Sequence, residues 1–223
     1  MNRILALLLL AGVAQAEDYA ALFEEAAANI DWNLEESFAF TESRYSDETL
    51  WVSRFDPRRP EGERWELLSV DGRSPTDRQR REFAHEKEDQ DTSDNDQRLD
   101  MVAIESLELL AEDDESWLLR FVPEEDEIEF DDNVDATVRI MKDGRYLQSV
   151  DMRNSEDIKP GWGTKIGTFV VNFEFGPAIV NGPIVPKTMK IQVGGSVLLF
   201  IGFEETEVIE YRDFDLVAKD IEP

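Results

Sequence analysis

The feature that most restricts the fold of this chain is a repeated alternation of apolar and polar residues over short stretches. Phe38 and Phe40 alternate with Ala39 and Thr41, and Trp65 begins another such stretch that ends at Val70. A period of two indicates strands with one buried face. About ten of these stretches follow one another with short links, which predicts an antiparallel sheet.

Residues that favour tight turns separate the predicted strands. Asp143-Gly144 and Gly194-Gly195 each predict a tight turn between strands, and Asp71-Gly72 predicts a tight turn out of the third strand. The most apolar stretch, Ser196–Phe203, is interpreted as a buried strand. The predicted strands after residues 38–41 are 50–55, 65–70, 107–110, 117–122, 137–141, 146–152, 168–175, 188–193, 197–203 and 207–211.

Two segments predict helices. From Tyr19 to Ile30, apolar residues recur at helical spacing, so this segment is expected to be a helix that caps the edge or mouth of the sheet. Ser74 precedes Pro75 and Asp77, a pattern typical of a helix start with serine as the N-cap. The second helix is expected to run to about Lys87.

The first sixteen residues have the pattern of an export signal. Arg3 precedes an apolar run from Ile4 to Val13, and Ala14-Gln15-Ala16 fits the rule for cleavage after Ala16. Residues 17–223 are then expected to form one periplasmic domain. Because the chain contains no cysteine, that domain must be stabilised by its core without disulfides.

The net charge limits the range of partners. The chain has 23 basic and 51 acidic residues, and loss of Arg3 with the signal changes the formal charge from −28 to −29. Such a chain repels phosphate backbones, so nucleic acid is not an expected partner. No later apolar run is long enough to predict a membrane-spanning helix.

Residues 54–81 differ from the rest of the chain because they contain eight arginines and six acidic residues, a net charge of +2. One interpretation is that these arginines pair with nearby acidic residues. The other is that they bind an anionic partner, for example an envelope protein. Arg78 and Arg81 lie three residues apart in the predicted helix and therefore share a face, so they are the candidates for docking.

The same region carries a resemblance to a known family. Its pattern Trp-x-Leu-x-x-x-Asp-Gly-x-x-Pro-Thr begins at Trp65. Together with Ser149–Asn154, Gly167–Val171, Ile184–Lys187 and Tyr211–Phe214, it is similar to a group of uncharacterised bacterial periplasmic proteins that resemble the LolA/LolB lipoprotein-carrier superfamily. The resemblance implies a half-open antiparallel barrel with a helical lid over an apolar cavity for acyl chains. It implies no catalytic residues.

The leading hypothesis is a non-enzymatic binding protein for a lipid or another apolar ligand. Inward-facing side chains of the half-barrel are the candidates for lining its cavity: Phe40, Trp65, Leu67, Trp117, Leu119 and Phe173. Two alternatives stay open. The sheet could be filled by its own side chains in a structural or interaction module, or two close carboxylates could form the site of a hydrolase.

The sequence offers little else that indicates catalysis or metal binding. The single histidine, His85, lies in a charged helix end, and there is no nucleophile motif, glycine-rich phosphate loop or zinc motif. No cofactor or metal is therefore predicted. One stretch approaches EF-hand spacing, but Asp94 stands where glycine is required. This stretch and the acidic run 124–132 are interpreted as solvated loops.

Overall fold

A computed structural model of the protein describes residues 18–90, 99–124, 133–161, 163–198 and 201–217. The predicted signal peptide and its cleavage site lie outside these residues. So do most of the stretch with EF-hand-like spacing and most of the acidic run 124–132.

The described residues form one antiparallel sheet of eleven strands. They are β1 Phe38–Ser46, β2 Thr49–Phe55, β3 Trp65–Val70, β4 Glu108–Glu112, β5 Ser116–Arg120, β6 Val134–Met141, β7 Tyr146–Asn154, β8 Ile158–Gly161, β9 Thr164–Pro177, β10 Ile184–Val197 and β11 Ile201–Leu216. The strand order is β3-β2-β1-β11-β10-β9-β7-β6-β5-β4, and β8 also pairs with β9. Because the order ends at β3 and β4, the sheet is not closed, and the predicted half-open antiparallel fold is confirmed.

Within the described residues, three α-helices accompany the sheet: α1 Tyr19–Ala28, α2 Leu34–Ser37 and α3 Asp77–Gln90. The Asp18 side chain accepts a hydrogen bond of 3.2 Å from the Ala21 backbone N–H and so caps α1. A short 3-10 helix, Ile104–Ser106, precedes β4. In the described part of the chain, no helix has the length and apolar character needed to cross a membrane.

The inward face of the sheet is continuous from one edge region to the other. Residues that are paired across strands point to the same face, and one such row spans nine strands: Leu119, Val138, Val150, Phe173, Met189, Ile209, Arg44, Trp51 and Val70. On the β5–β9 half, α1 covers this face and buries Leu22, Phe23 and Ala26 in the largest core cluster.

Two of the three turn predictions are confirmed. Val70 and Arg73 exchange both backbone hydrogen bonds, each 3.0 Å long, around Asp71 and Gly72, which have φ of 51° and 70°. Asp143 and Gly144 connect β6 to β7. Glycine adopts this left-handed conformation without the clash of a Cβ atom.

The third turn prediction is wrong, because β10 runs straight through Gly194 and Gly195. Their function is to accommodate a bulge in the pairing with β9, where a Cβ atom on Gly195 would collide with the carbonyl oxygen of Lys165. The chain turns at Leu198 instead. The interpretation of Ser196–Phe203 as a buried strand is therefore also wrong, since Ile201 and Phe203 are exposed.

The second helix begins later than the sequence pattern predicted. Its N-cap is Thr76, whose hydroxyl accepts a hydrogen bond from the Gln79 backbone N–H at 3.3 Å. The Gln79 side-chain oxygen in turn accepts the Thr76 backbone N–H at 2.9 Å, which completes a capping box. The prediction of Ser74 as the cap is wrong because a Thr-x-x-Gln pair lies two residues further on.

We expect Thr76→Ala to lower the free energy of unfolding by about 1 kcal/mol, because one orphan backbone N–H of α3 loses its partner. Urea denaturation measures this change, and Ser74→Ala is the matched control, with an unchanged midpoint. Equal effects of the two substitutions would contradict the assignment of the cap.

Candidate functional site

A cavity of about 500 Å³ lies between β3 and α3 and is partly open to solvent. This volume is within the range of about 300–1,000 Å³ that is usual for small-molecule sites. Apolar side chains form much of its wall: Phe55, Trp65, Leu67, Phe83 and Ala84. The loop between β2 and β3 supplies one rim, and α2 contributes Glu35.

The two-residue period of strand β3 and the period of about 3.6 residues of helix α3 place these residues around the same space. Trp65 and Leu67 are two residues apart on β3 and therefore point to one face. Along α3, the lining residues recur at helical spacing and form a single stripe: Arg80, Phe83, Ala84 and Lys87. The cavity is thus the gap between one face of a strand and one stripe of a helix.

A row of aromatic rings supports the floor of the cavity. Phe40, Phe55 and Trp65 are cross-strand neighbours, with ring centroids 5.3 Å apart for the first pair and 5.1 Å for the second. The Trp65 ring also meets Phe83 of α3 at 6.2 Å. Such offset and edge-to-face contacts favour one arrangement of the rings that support the cavity.

A buried ion pair attaches α3 to the sheet. The Lys87 ammonium lies 2.9 Å from Glu42 Oε1 of β1, and the two side chains are only 11% and 8% exposed. The same ammonium lies 4.0 Å from the centroid of the Trp65 ring, a cation–π contact. The pair therefore joins the helix, the floor of the cavity and the centre of the sheet.

Arg44 makes a second electrostatic contact with α3. Its guanidinium donates to Glu86 of α3 and, at 2.8 Å, to Glu207 of β11. Burial lowers the pKa of Arg44, but the attraction of Glu86 and Glu207 outweighs it, so that the pKa is raised above its ordinary value. Arg44 consequently stays charged and continues to hold α3.

The structure places the six predicted ligand residues on the same inward face of the sheet but not in one cavity. Trp65 and Leu67 line the cavity between β3 and α3, and Phe40 packs behind them with an exposed fraction of 2%. Trp117, Leu119 and Phe173 lie in the core cluster that α1 covers. Their predicted contact with a ligand has no counterpart in the observed cavity.

Several lining residues were not predicted from the sequence: Phe55, Phe83, Arg64, Arg80 and Lys87. A signal for three of them was present in the sequence. Arg80, Phe83 and Lys87 lie at helical spacing in a segment with almost no other apolar residue. That stripe marks the side of the helix that faces the sheet.

Carboxylates neutralise part of the arginine-rich region within the molecule. Arg58 pairs with Asp56 at 2.7 Å and with Asp215 at 3.0 Å, Arg59 pairs with Glu66, and Arg78 pairs with Glu82 on α3. The hydrogen bonds from Arg58 lower the pKa of the Asp56 carboxyl. Arg81 is exposed and forms no ion pair within the described residues, so docking through Arg78 and Arg81 stays a prediction.

The described residues contain no group of three or more histidine, aspartate or glutamate side chains that could hold a metal ion. His85 lies on an exposed part of α3 and is not among the residues that line the cavity. The side chains that line the cavity are apolar on its walls and charged at its rim.

Comparisons with protein-family models, with curated proteins and with solved structures gave no match to this chain. The resemblance to the LolA/LolB superfamily stays a prediction from the sequence stretches given above. The open sheet, its helices and the cavity are observed independently of that resemblance.

We expect Lys87→Met to lower the free energy of unfolding by about 3 kcal/mol, because it leaves the Glu42 carboxylate buried without its cation. Chemical denaturation measures this change. Arg78→Met is the matched control on the same helix, since its ion pair is exposed and should contribute little.

The double variant Glu42→Gln/Lys87→Met should recover part of the loss, because it no longer buries an unpaired charge. Equal and small effects of Lys87→Met and Arg78→Met would show that the buried pair does not hold α3.

Proposed function

We propose that this is a non-enzymatic binding protein that holds a lipid, an acyl chain or another apolar ligand in the cavity between β3 and α3. One observation carries the proposal: a cavity of about 500 Å³ persists on the inward face of the sheet, with aromatic and aliphatic walls. Removing apolar ligand surface from water there stabilises the complex by about 25 cal/mol per Å² before the costs of association.

The way in which α3 is held supports a binding role. Only Phe83 and Ala84 of its fourteen residues are apolar, so the helix buries little apolar surface of its own. Its ion pairs with Glu42 and Arg44 fix it beside the sheet without filling the space beneath it. A ligand can therefore occupy that space without displacing a packed core.

The location of this activity is part of the proposal. The expected export signal, with cleavage after Ala16, would place the protein in the periplasm. There it would carry or store an apolar compound that water cannot hold in solution. An open antiparallel sheet with a helix beside its inward face is also the general architecture that the resemblance to the LolA/LolB superfamily implies.

An interaction module is the second candidate, and one observation favours it. The tip of the β10–β11 hairpin exposes large apolar side chains: Val197, Leu198, Ile201 and Phe203. Exposed apolar residues gathered at one place often mark a contact with a partner. The half of the sheet under α1 is filled by its own residues, as this alternative expects.

Binding of the neutral fluorescent probe N-phenyl-1-naphthylamine tests the first candidate. We expect saturable binding to the wild type and at least about tenfold weaker binding to Ala84→Trp, a difference of about 1.4 kcal/mol. The indole would fill the cavity from the α3 side, where Ala84 is exposed and little of the core is disturbed.

Arg81→Trp is the matched control, because Arg81 is an exposed position on the same helix outside the cavity lining. The probe is uncharged, so the lost charge should not affect its binding. Equal binding to the wild type and both variants would place any apolar site elsewhere in the protein, and absence of binding to the wild type would contradict the proposal.

A further inference from the structure

The charged residues at the rim of the cavity are not matched in pairs. They comprise three acidic and three basic side chains: Glu35, Glu61, Glu66, Arg64, Arg80 and Lys87. Glu66 and Lys87 form ion pairs with residues outside the rim, because Glu66 lies 2.8 Å from Arg59 and Lys87 lies 2.9 Å from Glu42. Arg64 and Arg80 form no ion pair within the described residues.

These two guanidinium groups lack a carboxylate partner among the described residues of a chain with 51 acidic and 23 basic residues. In such a chain an exposed carboxylate is commonplace and well hydrated in water. An arginine without an ion pair beside an apolar cavity can still take an anionic partner. Its planar fork can bind a carboxylate or phosphate through two parallel hydrogen bonds.

The position of Arg80 is fixed by the fold. It lies on the α3 stripe that faces the cavity, and its Nη1 atom donates a long hydrogen bond of 3.4 Å to the Leu67 carbonyl oxygen of β3. Arg64 immediately precedes Trp65 at the start of the same strand. Both residues line the same cavity as Trp65 and Leu67.

From this juxtaposition we infer that the ligand is a single-chain amphiphile with an anionic head, a carboxylate or a phosphate, which Arg64 and Arg80 bind at the rim while the chain lies against Trp65, Leu67 and Phe83. This inference rests on the proposed function, since it needs the cavity to accept an apolar chain. A cavity of about 500 Å³ suits one small amphiphile.

Four ligands with the same chain length and different heads test the inference: decanoate, decyl phosphate, decanol and decyltrimethylammonium. Isothermal titration calorimetry at pH 8, below the micelle concentrations, measures each affinity. We expect decanoate and decyl phosphate to bind at least about tenfold more tightly than the other two, because a hydrogen bond to a charged group contributes about that factor.

Arg64→Gln/Arg80→Gln should abolish the preference for the anionic heads and keep the affinity for decanol. Arg73→Gln/Arg81→Gln is the matched control, because it removes the same charge from exposed arginines outside the cavity lining and should keep the preference. The single variants Arg64→Gln and Arg80→Gln serve if the double variant fails to fold, each with a partial loss of the preference.

The other outcomes separate the inference from the proposed function. If decanol binds as tightly as decanoate, the proposed apolar site is retained, but the inferred preference for an anionic head is contradicted. A preference for decyltrimethylammonium also contradicts the inference and indicates that acidic side chains of the rim bind a cationic head. Acetate or inorganic phosphate that binds as tightly as the decyl compounds indicates a site for a free anion. If none of the four decyl ligands binds, the proposed function itself fails.

Discussion

The ion pair between Lys87 and Glu42 is the interaction on which the site depends. A helix with two apolar residues cannot be held by hydrophobic burial alone, since one buried phenylalanine contributes about 1.5–3 kcal/mol. The pair is buried and its ammonium lies against the Trp65 ring. Dissolved salt therefore screens this pair less than it would screen an exposed pair. The helix is thereby fixed beside the sheet, and the space under it stays open.

This arrangement divides the inward face into two halves with different properties. Under α1, the side chains of β5–β9 pack against Leu22 and Phe23, and the core is continuous. Toward α3, apolar packing is limited to a small cluster that includes Phe83, and ion pairs attach the helix. Glu42 and Arg44, which lie on the same face as Phe173 and Met189, pair with Lys87 and Glu86 of the helix. The cavity lies beside α3, the helix that ion pairs attach to the sheet, and not beside α1, which packs on the sheet through apolar contacts.

Much of the fold could be predicted from the sequence because its signals are local. Alternation identified the strands, and Asp71-Gly72 predicted a turn that only small or flexible residues form readily. Gly194-Gly195 led to a wrong turn prediction because glycine also accommodates β-bulges. Whether a bulge forms depends on the pairing with the neighbouring strand. The cavity depends on contacts between distant residues: Lys87 and Glu42 are 45 positions apart, and no periodicity links them. The inward direction of Trp65 and Leu67 became clear only from the pairing of β3 with β2.

A crystal structure of the protein soaked with decanoate tests the central claim most directly. We expect the alkyl chain to lie in the cavity against Trp65, Leu67 and Phe83, with its carboxylate within hydrogen-bond distance of Arg64 or Arg80 and the Lys87–Glu42 pair intact. A structure in which α3 lies against the sheet with the cavity filled by the protein's own side chains, and decanoate absent from it, would contradict the account.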